Sequence, residues 1–418
     1  MNRRDEIEQL LSSRPVPEGF PGSVVLPDYA GYSIASVPSL ICRALGVTDV
    51  EPPRLESIPV PAADRVVLLV IDGLGYRSLL RLSAEEELPS LRALAAGGLF
   101  LPLTSVFPST TVAALTTLTT GLPPLAHGMI GYRLYLREVG AITNMIRFSL
   151  VGSNHNGSAL DAGLDPDRLL PGRTFYERLS GREIETDVLL PRAIAGSGLS
   201  KILYRGCSHV HPMASIGDMC VGAREMLREA DERRLLTLYW PGLDTVAHVR
   251  GPQSDAYLAE ARAIDAAVGR ELIGHLDRTL LIITSDHGFV PMSPSDYVQL
   301  TDLDGLDESA LLPPVGEPRA SYLYLRYGAE AAGRTKHDGP TLLPGNILRL
   351  TTDQVLSSGL LGAGLPHPEV RRRLGDLALI STGNAGVAHP YLDAPTLRGM
   401  HGGLSADEML VPLIAASL

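Results

Sequence analysis

The chain has 418 residues, 45% of them hydrophobic and 20% charged, with a formal net charge of −11 at pH 7. That length and apolar content support a sizeable packed core, which excludes intrinsic disorder and a disulfide-stapled miniprotein. The acidic balance argues against stable nucleic-acid binding, and the lysines Lys201 and Lys336 complete no GxxxxGK[ST] pattern, which excludes a Walker-type phosphate loop.

Residues 1–60 open with a short helical stretch and then turn Pro-rich (PVPEGFPGS, EPPRLESIPVPAAD), which predicts an N-terminal extension packing on the core. The start, MNRRDEIEQLLSSRP, is charged and predicts no secretory signal. The longest apolar strings, such as VVLLVI at 66–71, fall far short of the ~20 residues a membrane span needs. Cys42, Cys207 and Cys220 form no CxxC pair and read as reduced thiols. The expectation is a soluble, cytoplasmic protein without a membrane partner, its oligomeric state unreadable.

The run from Arg65 to Asp72 is nearly continuous in apolar residues and predicts a buried strand. A helix over 88–96, a strand near 99–106 and a buried helix from Thr110 to Thr120 follow. Two further strands are predicted at 235–240 and 279–285, separated by an amphipathic helix within 253–276. Strands alternating with helices indicate an α/β fold with a doubly wound, mostly parallel central sheet and helices on both faces. Residues 291–380 differ: Pro, Gly and Leu clusters (LLPPVGEP, HDGPTLLPGN) interrupt short strand-like pieces. They predict a smaller, lid-like inserted subdomain, leaving 61–290 and 381–418 as the main core. The triple arginine at 371–373 reads as a solvated helix face.

Three apolar strands end in, or lead to, an aspartate: Asp72, Asp244 and Asp286. Open parallel sheets bind ligands at the carboxyl ends of their strands. Three carboxylates gathered there repel one another unless cations neutralise them. Histidines accompany them: His287 follows Asp286, His248 stands four residues after Asp244, and His401 sits in a Met-His-Gly-Gly loop. On a helix, positions i and i+4 share a face, so Asp244 and His248 are placed to hold one ion. Mixed Asp/His donors suit zinc, with manganese or iron as alternatives. Two divalent ions roughly 4 Å apart suit displacement at phosphorus. Thr111, at a predicted helix start, is the candidate nucleophile. Alone, each piece has a plainer reading: Asp-Gly as a turn, Thr111 as a helix cap, Asp244/His248 as a surface ion pair. The set carries the chemistry. His127 is read as shaping the turn after the nucleophile helix, and His209 and His211 as structural or pocket-wall residues on one strand face. His155, His275, His337, His367 and His389 have no supporting neighbours.

The motifs VVLLVIDGLG, VFPSTTVAALTTLTTGLPPLAHGMIGY, WPGLDTVAHVRG, TSDHG and RGMHGGLS resemble those of the alkaline phosphatase superfamily. The likeness is greatest to its nucleotide pyrophosphatase/phosphodiesterase (type I phosphodiesterase) branch, over about 62–290 and 380–418. The resemblance implies that Asp72, Thr111, Asp286 and His287 hold one zinc, and Asp244, His248 and His401 the other. It further implies in-line attack by Thr111 through a covalent phosphothreonine, on a small phosphate-containing substrate such as a nucleotide diester or pyrophosphate. One position departs: where that branch places an asparagine after its His-Gly motif, this chain has Tyr132 followed by Arg133. Tyrosine still donates a hydrogen bond, and arginine grips a more highly charged phosphate, so either is a candidate for the asparagine's role. This leaves a phosphomonoesterase or phosphonate hydrolase as the alternative enzyme. A non-catalytic metal-binding module is the alternative of another class.

Overall fold

The computed structural model describes residues 3–47, 55, 58–228, 232–303, 305–329, 339–389 and 396–418. His337, Lys336 and parts of the stretches EPPRLESIPVPAAD and HDGPTLLPGN lie outside the described residues. A seven-stranded sheet forms the centre, its strands being β1 (Arg65–Ile71), β2 (Leu99–Thr104), β3 (Ile184–Pro191), β4 (His209–Met213), β5 (Arg233–Trp240), β6 (Thr279–Thr284) and β7 (Leu410–Ser417). Their spatial order is β2–β7–β6–β1–β5–β3–β4. β7 runs antiparallel to both neighbours, and the other pairings are parallel.

β1 shows why the apolar run reads as a central strand. All seven of its residues are buried. Val66, Leu68 and Val70 enter one core, while Val67, Leu69 and Ile71 enter the core on the opposite face. A strand covered on both sides has no polar face, so alternation disappears. The first core packs α1 (Thr111–Thr120) and the helix Val37–Ala44. The second packs Tyr76–Ala84, Pro89–Gly97 and the amphipathic α3 (Asp255–Glu271); α2 (Gly242–Arg250) lies between β5 and α3. The N-terminal segment lies on the first core through Ile7, Leu11, Ile34 and Ile41. Among the described residues no helix is long and apolar enough to cross a membrane.

A second, antiparallel sheet of eight strands stands beside the first. Five strands come from 315–381, but three come from 133–150, where Arg133–Leu136 pairs with Val315–Glu317. The sheet is therefore not made of the 291–380 segment alone. The strands of 133–150 are two to four residues long, too short for their alternation to stand out in the sequence.

The arginine triplet departs from a uniformly solvated face. Arg371 and Arg372 are exposed, whereas Arg373 is buried, donating to the Gly128 carbonyl at 2.8 Å and to Glu138 at 3.1 Å. It thereby supports the turn that His127 shapes. His127 Nδ1 accepts the Met129 N–H at 3.0 Å, so Nε2 carries the proton and donates to the Thr117 hydroxyl at 3.0 Å. Burial, helped by His367 and Arg373, lowers the His127 pKa from 6.5 to about 3. The unfolded imidazole takes up a proton below its ordinary pKa and the folded one does not, so stability falls as pH drops through that window. For this group alone the slope is about 1.4 kcal/mol per pH unit. Urea midpoints recorded between pH 7 and pH 4 are expected to decline, and His127→Gln to flatten the decline. An unaltered slope in the variant would contradict the assignment.

Candidate active site

The seven predicted residues converge at the carboxyl edge of the central sheet. Asp72 follows β1, Asp286 and His287 follow β6, and α2 after β5 carries Asp244 and His248 one turn apart. A two-stranded antiparallel pairing of Val290–Pro291 with Gly399–Met400 brings His401 alongside. Thr111 is the first residue of α1. Gly73 makes the tight turn at φ +78°, where a Cβ would meet the Phe289 ring at 2.6 Å and the Asp244 Cα at 3.2 Å.

Two groups of metal-capable atoms result: Asp72, Asp286 and His287, all buried, and Asp244, His248 and His401 nearer the mouth. In each, the ligand atoms lie within 4.8 Å of one another. His287 Nε2 stands 3.4 Å from Asp72 Oδ1 and 3.4 Å from Asp286 Oδ2. In the other group His248 Nε2 is 3.4 Å from Asp244 Oδ1 and 3.2 Å from His401 Nε2. The His287 and His401 rings stack at 3.6 Å, so the groups adjoin. Thr111 Oγ1 lies 3.2 Å from His287 Nε2.

The hydrogen bonds leave the ligand atoms free. Asp72 Oδ2 accepts from the Tyr239 hydroxyl, while Asp286 Oδ1 accepts the Gly73 and His287 N–H groups at 3.2 and 3.0 Å. Asp72 Oδ1, Asp286 Oδ2 and Asp244 Oδ1 are buried without a partner. His401 and His248 each direct Nδ1 at a carbonyl, of Ser109 at 3.0 Å and of Gly399 at 2.9 Å, which turns both Nε2 lone pairs into the cluster. Burial and the neighbouring Asp286 and Asp244 charges raise the Asp72 pKa well above the usual range. Burial raises that of Asp244 too, against the opposing pull of His248 and His287. Burial and the neighbouring His287 and His248 push His401 well below the ordinary histidine value. Buried carboxylate oxygens left without a hydrogen-bond donor are costly alone and are satisfied by divalent cations. The donor set fits two such ions.

Arg133 opens an interior strand of the second sheet, paired on both sides, and Tyr132 directly precedes it. Tyr132 Oη accepts from Asn144 Nδ2 at 2.6 Å, and the Arg133 guanidinium stands 5.6 Å from the Tyr132 ring centroid. His209 and His211 sit on edge strand β4, where His211 pairs with buried Asp187 at 2.9 Å. Among the described residues neither histidine joins a metal-capable group. Tyr239, Glu317, Arg319 and Glu408 were not anticipated. Glu317 and Arg319 occupy one hairpin turn of the second sheet, in a charged Gly-Glu-Pro-Arg stretch that reads as solvated loop. Instead both are buried: Arg319 grips Glu408 at 2.6 and 2.7 Å, and Glu408 accepts the Gly403 N–H at 2.8 Å. Glu317 Oε1 accepts the Tyr132 N–H at 3.2 Å, and burial pushes its carboxyl up to about 8.

A mostly parallel sheet bearing two adjoining Asp/His groups beside a threonine at a helix start defines a hydrolase architecture of the alkaline phosphatase superfamily. The sequence profile of the Type I phosphodiesterase / nucleotide pyrophosphatase family matches residues 66–149 and 219–404, more than half of the chain. The chain belongs to that family. An uncharacterised pyrophosphatase/phosphodiesterase of Schizosaccharomyces pombe is 24% identical over 255 residues, which is 59% of this chain and 49% of that protein. The chain thus spans about half the length of that curated relative. Human ectonucleotide pyrophosphatase/phosphodiesterase 5 superposes with a TM-score of 0.64 at 18% identity, covering 84% of this chain and 87% of the other. An inactive variant of the murine protein in complex with AMP gives 0.62 at 16% identity, covering 84% and 87%. Phosphonoacetate hydrolase from Sinorhizobium meliloti, in complex with phosphonoformate, gives 0.60 at 20% identity, covering 86% and 92%. At these identities the structural likeness establishes the fold.

Tyr239 offers a clean probe of the donor set, because Tyr239→Phe removes one hydroxyl and little volume. The variant is expected to bind zinc about 10-fold more weakly, by competition with a chromophoric chelator, since Asp72 loses the bond that fixes it. Unchanged affinity would show that the hydroxyl does not orient Asp72.

Proposed function

We propose that the chain is a two-metal phosphodiesterase/nucleotide pyrophosphatase acting through a covalent phosphothreonine. The observation that carries this reading is the trio of buried, unpartnered oxygens on Asp72, Asp244 and Asp286, set among three imidazoles and the Thr111 hydroxyl. Asp72, Thr111, Asp286 and His287 would hold one divalent ion and Asp244, His248 and His401 the other, with zinc best suited to these donors. Bound there, the ions would offset the carboxylate charge and lower the pKa of the threonine hydroxyl.

The chain's own residues account for the rest. Thr111 is fixed at the start of a ten-residue helix whose first N–H groups favour a phosphoryl oxygen. Its Oγ attacks phosphorus in line; the bond to the leaving oxygen breaks, and that oxygen departs with the electron pair. Water then cleaves the threonine ester and frees the hydroxyl for another turnover. Tyr132 takes the part of the expected asparagine. Asn144 Oδ1 accepts the Ile146 and Arg147 N–H groups, so its Nδ2 must donate to Tyr132 Oη, which leaves the phenolic proton free for a phosphoryl oxygen. The AMP complex of the murine relative supports a nucleotide substrate. One feature favours the second reading, a phosphomonoesterase or phosphonate hydrolase: Arg133 stands beside Tyr132, its guanidinium 5.6 Å from that ring, and a guanidinium is suited to gripping a dianionic group.

Hydrolysis of bis(4-nitrophenyl) phosphate and 4-nitrophenyl phosphate by the zinc-loaded protein tests both readings. The diester is expected to turn over faster, with Thr111→Ala slower by about three orders of magnitude or more. Equal or faster monoester turnover would overturn the diesterase preference. Absence of bound metal and of both activities would overturn the catalytic reading. Undiminished rates in both Tyr132→Ala and Arg133→Ala would remove those residues from substrate binding.

A further inference from the structure

Glu317 is a buried acid that the two-metal reading leaves without a task. It stands at the corner of the hairpin joining Val315–Glu317 to Ala320–Leu323, so the second sheet, not the central one, delivers it. The same corner carries Arg319, whose bidentate pairing with Glu408 and bonds to the Gly383 and Ala385 carbonyls leave the turn little freedom. Beyond the turn, the Glu317 carboxylate touches three segments that bear site residues. Oε1 accepts the Tyr132 N–H at 3.2 Å. The Thr110 hydroxyl, one residue before the nucleophile, faces the same carboxyl group and opposes the rise that burial gives it. Oε2 lies 3.6 Å from His401 Nδ1, on the opposite edge of the ring from Nε2. Glycine at 402 makes the approach workable: its φ is +120°, and a Cβ there would stand 3.3 Å from Oε2.

Burying a carboxylate costs free energy unless its oxygens are satisfied. Here Oε1 takes the Tyr132 N–H and the carboxyl group faces the Thr110 hydroxyl, while Oε2 packs 3.6 Å from the His401 ring edge that is bonded to Ser109; these stretches bring in the nucleophile, the asparagine substitute and a metal-capable imidazole. No single bond among these is strong, yet together they leave one relative arrangement of Thr111, Tyr132 and His401.

Resting on the two-metal reading, we propose that Glu317 is a positioning residue, whose acceptor oxygens brace the Thr110–Thr111 segment, the Tyr132 backbone and the His401 ring against one another. The brace needs oxygen acceptors at those places and requires no substrate contact. Glutamine retains one such oxygen for the Tyr132 N–H, and its amide group can donate to Thr110 in a reversed bond. Alanine retains neither.

The test compares Glu317→Ala and Glu317→Gln in the zinc-loaded full chain, with thermal midpoints recorded alongside. Glu317→Ala is expected to lower kcat for bis(4-nitrophenyl) phosphate by about 10-fold or more with little change in KM. It should also weaken zinc binding in a chelator competition by about 10-fold. Glu317→Gln should recover both to within about 3-fold, since the acceptor geometry survives. A merely structural residue would move the thermal midpoint while sparing kcat and zinc affinity in the folded protein. The proposal is overturned if Glu317→Ala matches wild type in both readouts, or if Glu317→Gln is as impaired as alanine. Should wild type itself neither bind zinc nor hydrolyse either ester, it is the two-metal reading that falls.

Discussion

Asp72, Asp244 and Asp286 share one low-dielectric corner, and most of the site follows from how the fold tolerates them. Like charges at this distance in a buried place repel strongly, and burial raises the cost of keeping each ionised. For Asp72 and Asp286 the protein divides the labour between the two oxygens of each carboxylate. One oxygen is anchored, by the Tyr239 hydroxyl on Asp72 and by the Gly73 and His287 amides on Asp286. The other is left bare toward the cluster, as is Asp244 Oδ1. That division makes little sense for a stability element, because a bare buried oxygen is a liability. It makes sense for a cation cradle, in which the anchored oxygen sets the direction of the free one.

The histidines obey the same constraint from the other side. His401 and His248 spend Nδ1 on backbone carbonyls, which fixes the tautomer and presents Nε2 as an acceptor. Burial and the neighbouring imidazoles disfavour protonation of His401, so it stays a donor of lone pairs. Under the proposed two-metal reading, an acidic chain would still serve an anionic substrate, because bound cations and helix-start amides would concentrate the positive potential at one edge of the sheet.

The second sheet is structurally part of this arrangement. Its strands come from both 133–150 and 315–381, so Tyr132 and Glu317 are brought together by strand pairing. Its tightest turn is held to the segment after His401 by the fully buried Arg319–Glu408 pair. A buried ion pair of this kind is weak evidence for stability, since desolvation offsets much of its attraction. Its geometric effect is firmer: it fixes where the hairpin ends and hence where Glu317 lies.

The local chemistry was legible in the amino-acid sequence. Seven consecutive buried residues at 65–71 can only be so apolar because both faces are covered, and the aspartates after β1 and β6 stand out against that background. The run of small and β-branched residues from Thr110 to Thr120 foretold α1 for equally local reasons, and the i,i+4 spacing of Asp244 and His248 puts both on one face of the helix found there. Tyr239 was hidden because a tyrosine near a strand end is ordinary β composition, and its hydroxyl gains meaning only opposite Asp72. Glu317, Arg319 and Arg373 were hidden because a charged residue in a turn or a basic run is usually solvated, and burial is decided by what packs over it. The net charge of −11 likewise said nothing of where the acid groups gather. Sequence alone determined the donor types, the candidate nucleophile and the strands that carry them, since these depend on residue chemistry and short spacings. Only the tertiary structure decided which oxygens stay unpaired and which distant hairpin closes the site, because those depend on contacts between segments up to some three hundred residues apart in the chain.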